Sequence, residues 1–463
     1  MQKKTDTTQP KISKIEITKD KISGRGGLLF FLRYIDQIRF YSLFENVFSF
    51  LKGSSKGLGY RQFVKQLFAW FIDGTDMSIC SFDRRKNDEA YAAVLENRPE
   101  QMATSHQIKR MFRKFSFVGQ MIFRSLLLEM FIWRLIIEQP KEVILFGDSV
   151  VFDNDGAKKR EGSNVTYKNK KGFQPMQISW GPYVVDALFR AGDVHCNHGS
   201  DFIKSVGRLV KAIRRRYKDV PIILLTDSGF MDDQNFRFFE QRLGIHYVCA
   251  GKIYNDIKQY VNNLSYDAFR SYRQTWTFVE FANRLKSWKT FRRCIFTSQK
   301  AEENGQLLFD FAQPDSVIYT NIGRNSELDE KLINAGSGNY LKAEKIIELN
   351  HSRGRAELVH RSQKEFAGRE QLPFKRFGMN RVFYYLMIIS HFLFEAYKRD
   401  IPCEAVPVTA YPNTFRRIMI DFAAKIVTTG GKIILRVTQT VYDSLKILKL
   451  WSFIEEYEPA FVT

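Results

Sequence analysis

Two short apolar runs, each ending in an aspartate, constrain the fold of this chain more than any other feature. They are EVILFGDS (142–149) and PIILLTDSGF (221–230). Runs of this length, rich in branched and aromatic residues, read as strands buried on both faces rather than as helices. Between them lie two more strand-like runs, GFQPMQISWG and YVVDALFRAGDV. SDFIKSVGRLVKAIRRRYKD (200–219) follows, with apolar residues at three- and four-residue spacing, which predicts an amphipathic helix. A further helix, NFRFFEQRLG, and a further strand, GIHYVCAG, come after the second run. The order is strand, strand, strand, helix, strand, with Asp148 and Asp227 closing the first and fourth strands. It predicts an α+β chain with a mixed sheet.

The flanking segments read differently. Residues 1–27 are polar and basic, end in GRGG, and read as a flexible tail, open to DNA contact or simply solvated. Residues 28–140 carry helical patterns such as YRQFVKQLFAWFIDG. One of them, ATSHQIKRMFRKF (103–115), opens with a Thr/Ser cap and bears Lys109, Arg110, Arg113 and Lys114. A helix entering a DNA groove has this character, and so does a solvated basic face. The core pattern occupies 141–251. Residues 252–345 are irregular and strand-rich (TWTFVEFANRL, WKTFRRCIFTS, QLLFDFA, SVIYTNI) and read as a β-rich insertion. Residues 346–400 return to helix, and 401–463 read as a helical C-terminal region.

Charge points to the partner. The chain has 71 Lys+Arg against 50 Asp+Glu, a formal net charge of +21. Such a balance attracts polyanions, though alone it leaves DNA, RNA and an anionic membrane open. The apolar run around Val382–Phe394 contains His391, is too short to span a bilayer and reads as a buried helix. The N-terminus has no apolar stretch of signal-peptide type. Five scattered cysteines without a CxxC pair suggest neither a disulfide framework nor a zinc ribbon. A cytoplasmic, nucleoid-associated protein is expected, with no membrane partner.

Three acids are candidates for chemistry. Breaking a phosphodiester requires stabilising both an attacking and a leaving oxygen, which two divalent ions about 4 Å apart can do together. Hard ions such as Mg²⁺ take a few carboxylate oxygens and leave positions open for water and phosphate. Asp148 and Asp227 are suited to this, although an Asp after a strand is often only a cap. Glu357 lies in the helical stretch KAEKIIELNHSRGRAELVHRSQKEF, with Arg353 four residues before and Lys364 seven after, on one helical face. A carboxylate flanked by cations suits metal and phosphate together. Ordinary pairing of Arg353 with Glu357 on a solvated face is the plainer alternative.

The spacing R-x3-E-x6-K at Arg353, Glu357 and Lys364 resembles the Y-x2-R-x3-E-x6-K signature of bacterial insertion-sequence DDE transposases, the insertion-sequence-four superfamily. ILFGDSVV, GDVHCNHG, LLTDSGF, LPFKRFGMNRVFYYLMIISHFLFEAYKR and ATSHQIKRMF resemble the branch called insertion sequence thirteen-eighty. The strand order, with carboxylates closing strands one and four, is that of a ribonuclease-H-like core, in which those two strands lie side by side. The resemblance implies such a core with a β-rich insertion, a helical N-terminal DNA-binding region and a helical C-terminal region. It implies catalysis and metal binding by Asp148, Asp227 and Glu357, with two Mg²⁺ ions or Mn²⁺ as a substitute. It also implies cut-and-paste transposition: binding of terminal inverted repeats, release of 3′-OH ends, and joining to target DNA by a homodimer. Asn350 stands where the signature has tyrosine, a position tied to DNA phosphate, so an amide donor replaces the ring there. Relatives pass through a DNA hairpin and stack a flipped base on an aromatic of the insertion, which draws attention to Trp276 and Trp288; burial in a β core is the plainer reading of either.

Three further features belong here. The basic run KKREGSNVTYKNKKG (158–172), with Lys168, Lys170 and Lys171, follows Asp148 in a predicted hairpin loop and is open to phosphate contact or to solvation. HCNH (195–198) is poor zinc geometry and reads as a turn. Arg214–Arg216 sit at a helix C-terminus, where cations meet the dipole favourably. A metal-dependent nuclease and a non-catalytic DNA-binding relative are the rival readings.

Overall fold

The computed structural model describes residues 12, 14–51, 57–157, 159–273, 276–299, 302–303, 306–307, 315–368 and 370–461. Lys158, residues 1–11 and 13 of the N-terminal segment and residues 308–312 of the QLLFDFA run lie outside them. The described chain begins with a strand, β1 (Lys21–Ser23). Seven helices follow: α1 (Leu28–Gln37), α2 (Phe40–Val47), α3 (Tyr60–Asp73), α4 (Ser81–Lys86), α5 (Glu89–Val94), α6 (Ser105–Phe115) and α7 (Gln120–Glu138). Their starts are legible chemistry. Asp88 accepts from Tyr91 N–H to cap α5. Thr104 and Gln107 form a reciprocal capping box on α6, in which each side chain accepts from the other's backbone N–H.

The central sheet starts with β2 (Val143–Ser149). A small sheet of β3 (Phe152–Asp153), β4 (Asn164–Val165) and β5 (Lys171–Phe173) follows. Then come β6 (Met176–Trp180), β7 (Tyr183–Leu188), α8 (Asp201–Arg216), β8 (Ile222–Thr226), α9 (Asp233–Arg237), β9 (His246–Gly251), α10 (Asn255–Asn262), β10 (Arg270–Tyr272), β11 (Trp276–Asn283) and β12 (Arg292–Gln299). After a two-strand ribbon, β13 (Glu302–Glu303) and β14 (Gln306–Leu307), β15 (Ser316–Thr320) rejoins the sheet. The nine strands run in the order β10-β11-β12-β15-β9-β8-β2-β6-β7. β2 is parallel to β8 and antiparallel to β6, and β8 is parallel to β9. The first and fourth strands of the sequence reading are therefore neighbours, as expected. The strand-rich segment expected as an insertion continues the same sheet, through β15 against β9. It also holds two helices that its pattern did not announce, α10 and α11 (Ser326–Asn334).

The central strands are buried on both faces because both are covered. On β8, Ile222 and Leu224 face the main core with α7 and α8, while Ile223 and Leu225 face a second cluster with Ile346, Ile347 and Leu349. Those three residues lie on α12 (Ala343–His351), which precedes α13 (Gly354–Phe366) and the long buried helix α14 (Phe377–Asp400). α15 (Pro412–Phe415), β16 (Ala424–Thr429), β17 (Lys432–Val437), α16 (Gln439–Ser444) and α17 (Ile447–Glu455) complete the chain. Buried ions tie the layers. Arg124 of α7 forks onto Asp186 of β7 at 2.7 and 2.6 Å. Asp400 at the end of α14 accepts from Arg134, Tyr34 and Tyr457. Among the described residues no single helix is long and apolar enough to cross a membrane.

Three expectations are corrected here. The N-terminal tail does not extend to residue 27: Lys21–Ser23 pairs with Ala424–Ile426, and Gly26 and Gly27 press against Phe422 and Met419 too closely for any side chain. The C-terminal region is not all helical. Its β16–β17 hairpin turns at Gly430 and Gly431, both with positive φ, between β-branched runs. The late helix is not continuous: it breaks at Ser352–Arg353, and Glu357 lies in the first turn of a new helix.

Candidate active site

The parallel register of β2 and β8 builds the site. Val143 lies opposite Ile222, and the ladder runs to Gly147 opposite Thr226. The next residues along are Asp148 and Asp227, so both carboxylates leave the same edge of the sheet. Gly147 is needed at this point, since a Cβ there would lie 2.6 Å from the Phe202 ring of α8. Each acid is held by backbone: Asp148 accepts from Ser149 N–H at 2.6 Å, and Asp227 accepts from Gly229 N–H at 2.9 Å while capping the turn after β8.

Burial raises the pKa of Asp148, and the charge of Glu357 adds to it, against the Ser149 N–H and Arg353. Burial and the charge of Asp148 raise that of Asp227, again opposed by Arg353. The Arg353 charge thus opposes the rise at both carboxylates. A cavity of about 200 Å³ opens at this point, lined by Asp148, Asn350, Arg353, Gly354 and Glu357 over a floor of Phe146, Gly147 and Leu225. The α12–α13 break brings the three polar residues of the signature to its mouth. Asn350 is buried, and its Oδ1 accepts from Arg353 Nη1 at 3.5 Å. Lys364 stays away from the pocket and pairs with Glu370 at 2.9 Å. Among the described residues no three His, Cys, Asp or Glu side chains stand close enough to enclose an ion as they are placed; Glu357 is exposed.

Comparison with known proteins adds a decisive observation. The sequence model described as Transposase DDE domain group 1 matches residues 7–457, nearly the whole chain. The chain belongs to this transposase family. No curated protein matches it. Among solved structures, the cryo-EM structure of the piggyBac transposase synaptic complex with hairpin DNA aligns at TM-score 0.43 with 13% sequence identity, over 87% of this chain and 82% of that one.

Around the pocket of this transposase the other candidates divide. Lys168 acts electrostatically on Asp148. Lys170 instead pairs with Asp153 at 2.7 Å, and Lys171 lines a separate cavity with Arg160. Lys109, Arg110 and Arg113 are exposed on α6, and Lys109 shares a small cleft with Arg160 and Leu372 of the core. Trp276 is half-buried, 5.3 Å from the His351 ring. Trp288 is corrected: only 5% exposed, it packs edge-on against Phe236 and Tyr319 under Arg292, and no base can reach its face. The HCNH segment is a turn, its carbonyls held by Arg190.

Sequence reasoning missed one neighbour of the acids. His360, one turn after Glu357, sets Nδ1 at 3.8 Å from Asp148. Burial and the Lys364 charge lower its pKa to about 4, so it is neutral at pH 7, and this is no ion pair. Spacing on α13 would have found it.

Proposed function

We propose that this transposase cuts phosphodiester bonds at the ends of a bacterial insertion sequence and joins the freed 3′-OH ends to target DNA. One juxtaposition carries the reading: Asp148 and Asp227 side by side on paired parallel strands, with Glu357 and Arg353 from the α12–α13 break lining the same pocket as Asp148. The three acids would hold two Mg²⁺ ions, with Mn²⁺ as a substitute. Their chemistry fits hard cations, because the donors are all carboxylate oxygens and the two aspartates carry repelling, partly desolvated charge. Such ions, when bound, supply an activated water and charge stabilisation at the leaving oxygen.

The chain's own residues supply the rest. Gly147 and the buried strands fix the two aspartates on a rigid edge. Arg353, held by Asn350, presents a guanidinium fork suited to a phosphate flanking the cut. In hydrolysis the water oxygen bonds to phosphorus, the bond to the 3′ bridging oxygen breaks, and that oxygen leaves as a 3′-OH. Joining repeats the displacement with this 3′-OH as the nucleophile. The sheet order and the acid positions support a ribonuclease-H-like core. The partly retained signature supports the insertion-sequence-four superfamily and its thirteen-eighty branch. Basic α6 and Lys168 would grip the terminal inverted repeats, in a homodimer that pairs two ends in the cytoplasm.

The test uses linear DNA carrying the element ends, Mg²⁺ and purified full-length protein. Wild type is expected to nick at the ends and give strand-transfer products. Asp148→Ala, Asp227→Ala and Glu357→Ala are expected to bind DNA without cutting it. Cleavage that survives these substitutions would overturn the site. Cleavage without joining would point to a nuclease, and binding without cleavage by wild type to a DNA-binding relative.

A further inference from the structure

We propose, on the transposase reading above, that the cleft between α6 and the β3–β4 loop is a DNA-backbone site in which Arg160 and Lys109 hold one phosphate of the element end. The cleft shares no lining residue with the acid pocket.

Arg160 is an arginine that the fold leaves without an acceptor. It is half-buried, and its Nε is shut off from solvent without a partner. Of the described arginines that are buried or half-buried, it alone makes no hydrogen bond or ion pair through its guanidinium. The others are served by carboxylates, as Arg124, Arg134 and Arg292 are, or by backbone and amide oxygens, as Arg190, Arg353 and Arg416 are. Taking a guanidinium half out of water without an acceptor is unfavourable, and a negative group arriving from outside relieves it.

The position of Arg160 is fixed by backbone. Ser163 N–H donates to Arg160 O at 3.3 Å and closes a turn. Glu161 N–H donates to Lys375 O at 2.9 Å, and the Glu161 carboxylate accepts from Phe377 N–H at 2.9 Å, which pins the turn to the start of α14. The acid next to Arg160 in sequence is thus engaged elsewhere.

Arg160 lines two cavities. One, of about 240 Å³, is lined also by Ser78, Lys109 and Gln371, and among the described residues no acid lines it. The other, of about 810 Å³, adds Lys159, Ser163 and Lys171 but also Asp155 and Asp193. An anion therefore belongs in the smaller one, where two cations and an amide meet and no carboxylate opposes it. The planar fork of arginine takes phosphate oxygens in pairs, with Lys109 as a second point charge. Lys109 belongs to α6, whose exposed residues include Arg110 and Arg113, and Arg160 belongs to the core. A phosphate held by both fixes the register of a duplex across the helical region and the catalytic sheet.

The test measures metal-free binding of the full-length protein to element-end duplex, with a neutral methylphosphonate placed at one phosphate at a time. In wild type the phosphate seated in the cleft is expected to cost about 10- to 100-fold in affinity when neutralised, the usual worth of hydrogen bonds to a charged group. In Arg160→Gln that one penalty should fall to near unity while penalties elsewhere persist, and the slope of log affinity against log salt should drop by about one. Lys109→Gln should reduce the same penalty in part. Because Arg160 has no partner to strand, Arg160→Gln should melt no lower than wild type. Unchanged penalties at every position, an unchanged salt slope, or a melt well below wild type, which would mark a structural arginine, would each overturn the site. Wild type that binds element ends with this pattern but never cuts them would overturn the cleavage reading and leave the site standing; wild type that binds no duplex would overturn both.

Discussion

The buried pair Arg124–Asp186 offers a quantitative test of how the helical layer is fastened to the sheet. Asp186 lies on β7 with no solvent exposure, and Arg124 of α7 reaches it with two hydrogen bonds of 2.7 and 2.6 Å. Arg124→Ala would leave a carboxylate inside the protein without its fork. Removing one partner of a buried ion pair costs about 3–5 kcal/mol. Two contacts survive the change, the Ala187 N–H at 3.0 Å and Arg208 at 3.7 Å, which places the expected loss near the lower end of that range. Replacing both members, Arg124→Met with Asp186→Leu, removes the stranded charge and is expected to recover most of the loss. Urea unfolding of the full-length protein, followed by tryptophan fluorescence, measures both. A loss under about 1 kcal/mol for Arg124→Ala, or a double variant no better than the single one, would refute the reasoning.

Four further outcomes are expected. Asp148 and Asp227 have folded pKa values above their unfolded ones, so their ionisation weakens folding at neutral pH, and that penalty fades as pH falls through the folded value. Metal-free Asp148→Asn and Asp227→Asn should therefore melt above wild type at pH 7, by a margin that shrinks on acidification; a margin constant with pH would contradict this. Arg353→Ala should impair end cleavage far more than Lys364→Ala, because Arg353 faces both aspartates and Lys364 faces Glu370; equal losses in single-turnover assays would reverse the assignment. Trp288→Ala should destabilise the fold by about 3–5 kcal/mol in the same urea assay, as a buried aromatic does. Glutamates in place of Lys109, Arg110 and Arg113 should flatten the salt dependence of DNA binding; an unchanged slope would remove α6 from the interface.

What could be read from sequence follows from how local each signal is. The runs ending in Asp148 and Asp227 were legible because each strand packs apolar residues against a cluster on either face, which leaves an unbroken apolar string, and the strand order then set them side by side. The α6 cap was legible because Thr104 and Gln107 satisfy each other three residues apart. The β16–β17 hairpin was lost because KIVTTGGKIILRV lies among helical patterns, and its Gly430–Gly431 turn was passed over. The break before Gly354 was hidden, since residues on either side keep helical spacing. Trp288 was misplaced because its burial depends on Phe236 and Tyr319, from distant elements.

The central claim is that Asp148, Asp227 and Glu357, from three separate elements, hold the same divalent ions. Iron-directed self-cleavage tests it most directly. Full-length protein is loaded with Fe²⁺, exposed to ascorbate and peroxide, and the backbone cuts are mapped by mass spectrometry. The account predicts cuts clustered next to all three acids, suppressed by excess Mg²⁺ and lost together in Asp148→Ala or Asp227→Ala. Cuts at only one acid, or a pattern indifferent to Mg²⁺ and to these substitutions, would contradict it.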